Sequence, residues 1–251
     1  MNGARLRKIL YGAAYRVAAQ IYPRRCPLCG EVLGTDAVAA VLCRNCLAGA
    51  KKLLHNPPRL ADTEHSFYAL DGAASVFYYE DEIRYAILCT KLHGQPWLAR
   101  ELSDMVAIRL FGALPASQPG GIPRYDPPGG LSPYDCIVPV PPRRGSDSGP
   151  RLPDLMAGRL ARILHLPVCR DLYPVRMMQP QKQLSLAERL KNQKDGYALH
   201  STNHVMGRRV LLVDDIITSG ATVSACAMAL YQGGAASVSA VSLAVDEVRK
   251  K

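Results

Sequence analysis

The pattern of apolar and polar positions divides the chain into three stretches. In the first, Leu6, Leu10, Ala13, Ala14, Val17 and Ile21 recur at helical spacing, with Arg5, Lys8 and Arg16 on the other face. This predicts an amphipathic helix within residues 1–22, ended by Pro23. Residues 23–56 follow with little periodicity and would make a poor core unaided, so a segment of this kind needs a staple. From residue 66 to 251 regular patterns return. Residues 73–79 read as a strand, 82–92 and 97–111 as helices. The stretch 113–133 is rich in Pro and Gly and reads as a flexible surface connection. Cys136-Ile137-Val138-Pro139-Val140 is a short buried-strand pattern, and 154–164 is helical. Val210-Leu211-Leu212-Val213 is a continuous apolar run ending in Asp214-Asp215. A loop, Ile216 to Ala221, leads into a helix from Thr222 to Tyr231. Gly233-Gly234 stops that helix, and 237–245 reads as another strand. Strand, helix and strand at these lengths form a βαβ unit, which implies a parallel sheet and an α/β domain.

Composition narrows the class of partner. The formal net charge is +10 over 251 residues, which favours anionic partners: nucleic acid, phosphorylated metabolites or acidic membrane. Aromatic residues make up only 6% of the chain, so stacking on nucleic-acid bases is expected to be limited. Arg and Lys interrupt every apolar stretch near the start, and no run approaches the roughly 20 apolar residues of a membrane span. A reducing, cytoplasmic setting is expected.

The eight cysteines fall into two kinds. Cys89, Cys136, Cys169 and Cys226 sit in apolar segments and read as small core residues. Cys26 and Cys29, then Cys43 and Cys46, form two Cys-x2-Cys knuckles separated by 13 residues. Two such knuckles place four thiolates around one Zn²⁺ in a closed tetrahedral site, which makes the metal structural rather than catalytic. This is the staple that residues 23–56 require.

The acid pair and the loop after it carry a second chemistry. Ligands of open α/β sheets bind beyond the carboxyl ends of the strands, where Asp214 and Asp215 are expected. Thr218, Ser219, Gly220, Ala221 and Thr222 lead directly onto a helix amino terminus. Its backbone N–H groups and dipole suit a phosphate. The hydroxyls of Thr218, Ser219 and Thr222 add donors, and Gly220 allows close backbone approach. Carboxylates beside such a cradle accept hydrogen bonds from sugar hydroxyls and can help to hold a divalent cation.

The run Val-Leu-Leu-Val-Asp-Asp-Ile-Ile-Thr-Ser-Gly-Ala-Thr resembles the ribose-phosphate signature of type I phosphoribosyltransferases. The resemblance implies that Asp214 and Asp215 hold the ribose hydroxyls and residues 218–222 the 5-phosphate. Together with the cysteine module, the chain resembles the ComF family, of the competence protein F and ComFC type. Ile21-Tyr22-Pro23-Arg24-Arg25-Cys26-Pro27-Leu28-Cys29-Gly30 is similar to the family's opening. Lys91-Leu92-His93-Gly94 is similar to its Lys-x-x-Gly stretch, and Ile137-Val138-Pro139-Val140-Pro141 to its Val-Pro-Val-Pro strand end. Gln181, Leu184, Arg189 and Asn192 follow its Gln, Leu, Arg, Asn series. The chain departs from the family after the Val-Pro-Val-Pro element. There Ser148, Gly149, Pro150, Arg151 and Leu152 replace an Arg-Gly-Phe-Asn-Gln run. Met178 also replaces a Thr.

The resemblance implies a phosphoribosyltransferase-like domain that binds phosphoribosyl pyrophosphate or a related ribose phosphate, with Mg²⁺ on the pyrophosphate. Lys91, Arg143 and Arg144 are candidates to face that pyrophosphate. Three roles stay open. One is an accessory factor in uptake or processing of single-stranded DNA, with a helicase-like competence partner. Another is an active transferase on a base or amine. The third is a ribose-phosphate sensor without turnover.

Overall fold

The computed structural model describes residues 23–33, 41–61, 65, 67–92, 95–116, 124–126, 132–142, 151–175 and 196–247. The helix expected within 1–22 lies outside the described residues. The elements run α1 (Arg44–Lys52), β1 (Gly72–Tyr78), α2 (Asp81–Leu92), α3 (Leu98–Phe111), β2 (Leu114–Ala116), β3 (Arg124–Asp126), β4 (Cys136–Pro139), α4 (Leu152–Leu164), β5 (Leu172–Pro174), β6 (Tyr197–Leu199), β7 (Arg209–Ile217), α5 (Ala221–Gln232) and β8 (Ser237–Val245).

The main sheet has the order β1-β8-β7-β4 with every pair parallel. A parallel sheet is covered on both faces, so its central strands read as continuous apolar runs rather than alternations. That is why Val210 to Val213 form one unbroken run, all fully buried, at the centre of the sheet. One face packs α2, α3 and α4 through Ile83, Ile87, Leu102, Val106, Met156 and Leu160 onto Leu211, Val213 and Leu243. The other face packs α5 through Val223, Cys226 and Leu230 onto Val210, Leu212 and Val238. The outer side of β1 is bridged by Leu54 and Arg59, which face Phe77 and Ala74. This removes an open edge that would otherwise template further pairing.

The cysteine-bearing segment does not stand apart. Cys26, Leu28, Leu33, Val41, Leu42, Ala50 and Leu53 belong to the same buried cluster as Ile83, Leu102 and Leu211. Arg24 grips Glu101 of α3 with two hydrogen bonds of 2.9 and 2.6 Å. Beside it, Arg159 of α4 holds Asp104, also on α3, at 2.6 and 3.1 Å. Burial raises the Asp104 carboxyl, and Arg159 opposes that shift. The segment thus borrows its core from the α/β layers, which the weak periodicity of residues 24–56 could not reveal.

Two local expectations change. Within the Pro/Gly-rich stretch, β2 and β3 pair antiparallel, so part of the expected flexible connection is a short ribbon. The four cysteines outside the knuckles are all buried, but Cys136 and Cys169 do not sit alone. Their thiols hydrogen-bond, which, against burial, holds Cys169 down to about 7.

Candidate functional site

The site forms where β7 leaves the sheet. Pairing with β8 continues past the apolar run, through Asp214↔Ser242, Ile216↔Ala244 and Ile217↔Val245. The acids therefore lie on the strand, held in register, rather than in the loop after it. Asp215 is buried and its Oδ2 meets Lys91 Nζ at 2.7 Å. Asp214 Oδ1 accepts the backbone N–H of Asp215 at 2.8 Å. Burial, then the charge of Asp215, pushes the Asp214 carboxyl up to about 7. The backbone N–H of Asp215 and the charges of Lys91 and Arg151 pull the other way. The two acids are therefore unlike: one is ion-paired, and its neighbour titrates near neutrality.

The loop turns at Gly220, which caps α5 in the left-handed region at φ +79°. A side chain here would be strained by that φ, and its Cβ would overlap the Phe67 ring. Phe67 in turn stacks on His65, with ring centroids 4.9 Å apart. Thr218 and Ser219 are exposed, and Ala221 and Thr222 half-buried. Ser219 Oγ accepts the N–H of Ala221 at 3.4 Å. The first turn of α5 contains no acidic residue, so nothing there opposes an anion at the positive end of the helix dipole.

On the neighbouring strand, β4 ends at Pro139, and Val140 N–H donates to Val213 O at 2.9 Å. This sets the residues that follow β4 beside the end of the apolar run, next to the acids. Arg151 reaches back to donate to Val140 O at 3.2 Å and pairs with Asp154 at 2.6 Å. Sequence reasoning missed both Arg151 and Phe67. Arg151 stands where the family pattern is broken, and Phe67 precedes the first strand. Their only sequence signals are an Arg shortly after a Val-Pro-Val-Pro element and an aromatic in a loop. Lys91 joins the acids, whereas Arg143, Arg144 and the series Gln181, Leu184, Arg189 and Asn192 lie outside the described residues.

The four knuckle cysteines also come together. Their Sγ atoms all lie within 4.8 Å of one another, and Cys29 and Cys43 are 3.6 Å apart. Bonds of about 2.3 Å in a tetrahedron put sulfurs about 3.8 Å apart, so the four fit one ion. Cys43 caps α1 by accepting the N–H of Cys46, and the backbone of Glu31 lowers the Cys29 thiol. Such N–H···S bonds orient thiolates toward a metal. The cluster can hold a metal such as zinc, and with four sulfurs it leaves no open position for a substrate.

Comparison with known proteins agrees with this geometry. The phosphoribosyl transferase domain family matches residues 155–251, which include β7, the loop and α5. Competence protein F of Haemophilus influenzae is 27% identical over 182 residues, 69% of this chain and 72% of that protein. The DNA utilization protein YhgH of Escherichia coli K12 is 36% identical over 112 residues, 43% of this chain. That match spans 48% of YhgH, about half its length. Among solved structures, an allosteric regulatory enzyme of purine biosynthesis overlaps 57% of this chain and 25% of its own, at 20% identity and a TM-score of 0.35. The sheet order and the matched domain define the fold, the four-cysteine cluster fits a zinc ribbon, and the competence protein F match covers 69% of the chain. The chain is therefore a ComF-like protein built on the phosphoribosyltransferase fold.

Proposed function

We propose that this protein binds phosphoribosyl pyrophosphate or a closely related ribose phosphate at the carboxyl end of β7. The observation that carries the reading is the juxtaposition, on one strand-to-helix turn, of two carboxylates with a hydroxyl-rich loop that opens α5. Asp214 and Asp215 would accept the ribose hydroxyls. Thr218, Ser219, Thr222 and the first N–H groups of α5 would hold the 5-phosphate. A diphosphate at C1 would then extend toward the residues that follow β4, with Mg²⁺ neutralising it. Zinc in the Cys26, Cys29, Cys43 and Cys46 centre is the metal that best suits four thiolates, and thiolate ligands suit a reducing cytoplasm.

The test is calorimetric titration of phosphoribosyl pyrophosphate with Mg²⁺. Charge-assisted hydrogen bonds are worth about 1.5–3 kcal/mol each, so Asp215→Ala should weaken binding roughly tenfold to a hundredfold. Thr222→Ala should cost less, because backbone donors remain. Wild-type affinity in the double variant, with unchanged circular dichroism, would place the ligand elsewhere.

A second reading is supported by the names of the relatives, competence protein F and DNA utilization protein, and by the net charge of +10. In it the chain serves DNA uptake or processing beside a helicase-like partner, with basic side chains contacting single-stranded DNA. Such binding should fall steeply with salt. Fluorescence anisotropy showing no binding even at low salt would remove the DNA-contact part.

A further inference from the structure

We infer, on the ribose-phosphate reading above, that Phe67 is a positioning residue for the phosphate loop: held by His65, Glu247 and His55, it fixes the backbone at Gly220 and so the donors that the loop presents to a 5-phosphate. Gly220 has no side chain of its own to anchor it and stands in the left-handed region at φ +79°. Glycine has more backbone freedom to lose than any other residue, so its support must come from elsewhere in the chain. The Phe67 ring supplies it, lying so close that a Cβ on Gly220 would overlap its Cδ1 and Cε1 atoms. The next residue ties the same segment to the helix, since Tyr68 N–H donates to Ser224 Oγ, in the first turn of α5, at 3.4 Å.

Phe67 is itself held by a buried chain of contacts. His65 is buried and stacks on it with the two rings 5° from parallel. His65 Nδ1 lies 3.3 Å from Ala61 O and 3.9 Å from Glu247 Oε1. The other carboxylate oxygen of Glu247 meets His55 Nε2 at 2.9 Å. His55 is also buried, and its backbone N–H donates to Val76 O of β1 at 2.9 Å. Glu247 follows directly on Asp246, whose N–H donates at 2.8 Å to the carbonyl of Ile217, the last residue of β7. One dipeptide after β8 thus grips the loop where it begins, at Ile217, and braces it through His65 and Phe67 where it ends, at Gly220. A phosphate held by backbone N–H groups depends on where those groups point, because each donor acts over a narrow range of distance and angle. The brace therefore acts on the 5-phosphate and not on the sugar hydroxyls, which Asp214 and Asp215 receive from β7.

The experiment is a pair of double-mutant cycles, read by calorimetric titration of phosphoribosyl pyrophosphate with Mg²⁺. Phe67→Ala should weaken binding about tenfold, roughly what ordering one freed backbone residue costs. Ser219→Ala with Thr222→Ala, which strips two hydroxyls from the phosphate cradle, should cost less in the Phe67→Ala background than in wild type. Asp215→Ala should cost the same in both. Phe67→Leu keeps the bulk without the flat ring and should lose about threefold with the same pattern of coupling. It decides the matter if circular dichroism shows Phe67→Ala unfolded. A merely structural Phe67 would lower the melting temperature and leave both cycles additive, and that result overturns the inference. If Asp215→Ala weakens binding while Phe67→Ala and Phe67→Leu bind as wild type does, the ribose-phosphate reading stands and this inference alone fails. A wild-type chain that does not bind phosphoribosyl pyrophosphate overturns both, with the fault in the parent reading.

Discussion

The four-cysteine centre and the acid-and-hydroxyl turn each gather ligand-holding groups from a short stretch of chain, and they do so by opposite means. The thiols come from two knuckles joined by a stretch with little sequence periodicity, and burial pushes Cys43 and Cys46 up. A metal bound there would replace their protons and tie the two knuckles together. The acids and the loop need no ligand to be in place. They sit at the end of a strand paired on both sides and before a twelve-residue helix packed on the same sheet. The first site would be tightened by the metal it can hold, and the second is set by the fold. The first should therefore appear in stability measurements, and the second in binding.

Metal removal should separate the two most widely. Chelation, or Cys43→Ser, should lower stability by several kcal/mol, because the ribbon's apolar residues share the main core. Affinity for phosphoribosyl pyrophosphate, measured well below the melting temperature, should change less than about threefold. A melt unaffected by chelation, with less than about half a metal per chain, would break the comparison on the ribbon side.

Glu101→Ala tests the seam between the two regions. It removes the carboxylate that Arg24 holds, and the Arg24 side chain is only 12% exposed, so the loss of this buried ion pair should cost on the order of 1–3 kcal/mol. Urea denaturation should report that loss, again with little effect on ligand affinity.

Gly220→Val should do the reverse. A β-branched residue at φ +79° carries roughly 1–3 kcal/mol of backbone strain and collides with Phe67. Binding should fall more than about tenfold. Adding Phe67→Ala should relieve the overlap but not the strain, and so should restore only part of the affinity.

The smallest effect is the pH dependence. Asp214 is held up at about 7, so it is largely protonated below that pH and can accept a sugar hydroxyl with full charge only above it. Affinity should rise by up to about tenfold between pH 6 and pH 8, and Asp214→Asn should flatten the rise. The ligand's own phosphate ionisation is common to both proteins and cancels in the comparison. The stability effect has the same origin. A carboxyl raised from 3.8 to about 7 costs the fold nothing at low pH and progressively more as pH rises through that window. Asp214→Asn should therefore gain relative stability at pH 8.

The βαβ unit from Val210 to Val245 was legible because its signals are local. A continuous apolar run, two acids, a glycine at a helix start and a closing Gly-Gly pair report a buried parallel strand and a phosphate-type turn without knowledge of the rest. The cysteine knuckles were legible for the same reason, since their spacing alone defines the ligand set. Even there the register was hidden. Asp214 and Asp215 read as the end of the strand, with the loop starting at Ile216, and only the pairing of β7 with β8 carries the strand on to Ile217.

What the amino-acid sequence determined by itself was therefore the kind of chemistry and where along the chain it sits: four thiolates, two carboxylates, and a loop rich in hydroxyls. Tertiary structure decided the partners. Lys91 on Asp215, Phe67 against Gly220, Arg24 on Glu101, and His55 and His65 both beside Glu247 join residues from different elements. Periodicity and motif spacing describe what a segment does over a few turns or strands. Which distant charge settles beside a carboxylate depends instead on how α2, α3 and the residues before β1 pack around the sheet. The difference between Asp214 and Asp215 follows from that packing. Adjacent and of the same residue type, they are set apart because Asp215 pairs with Lys91 while burial raises the Asp214 carboxyl.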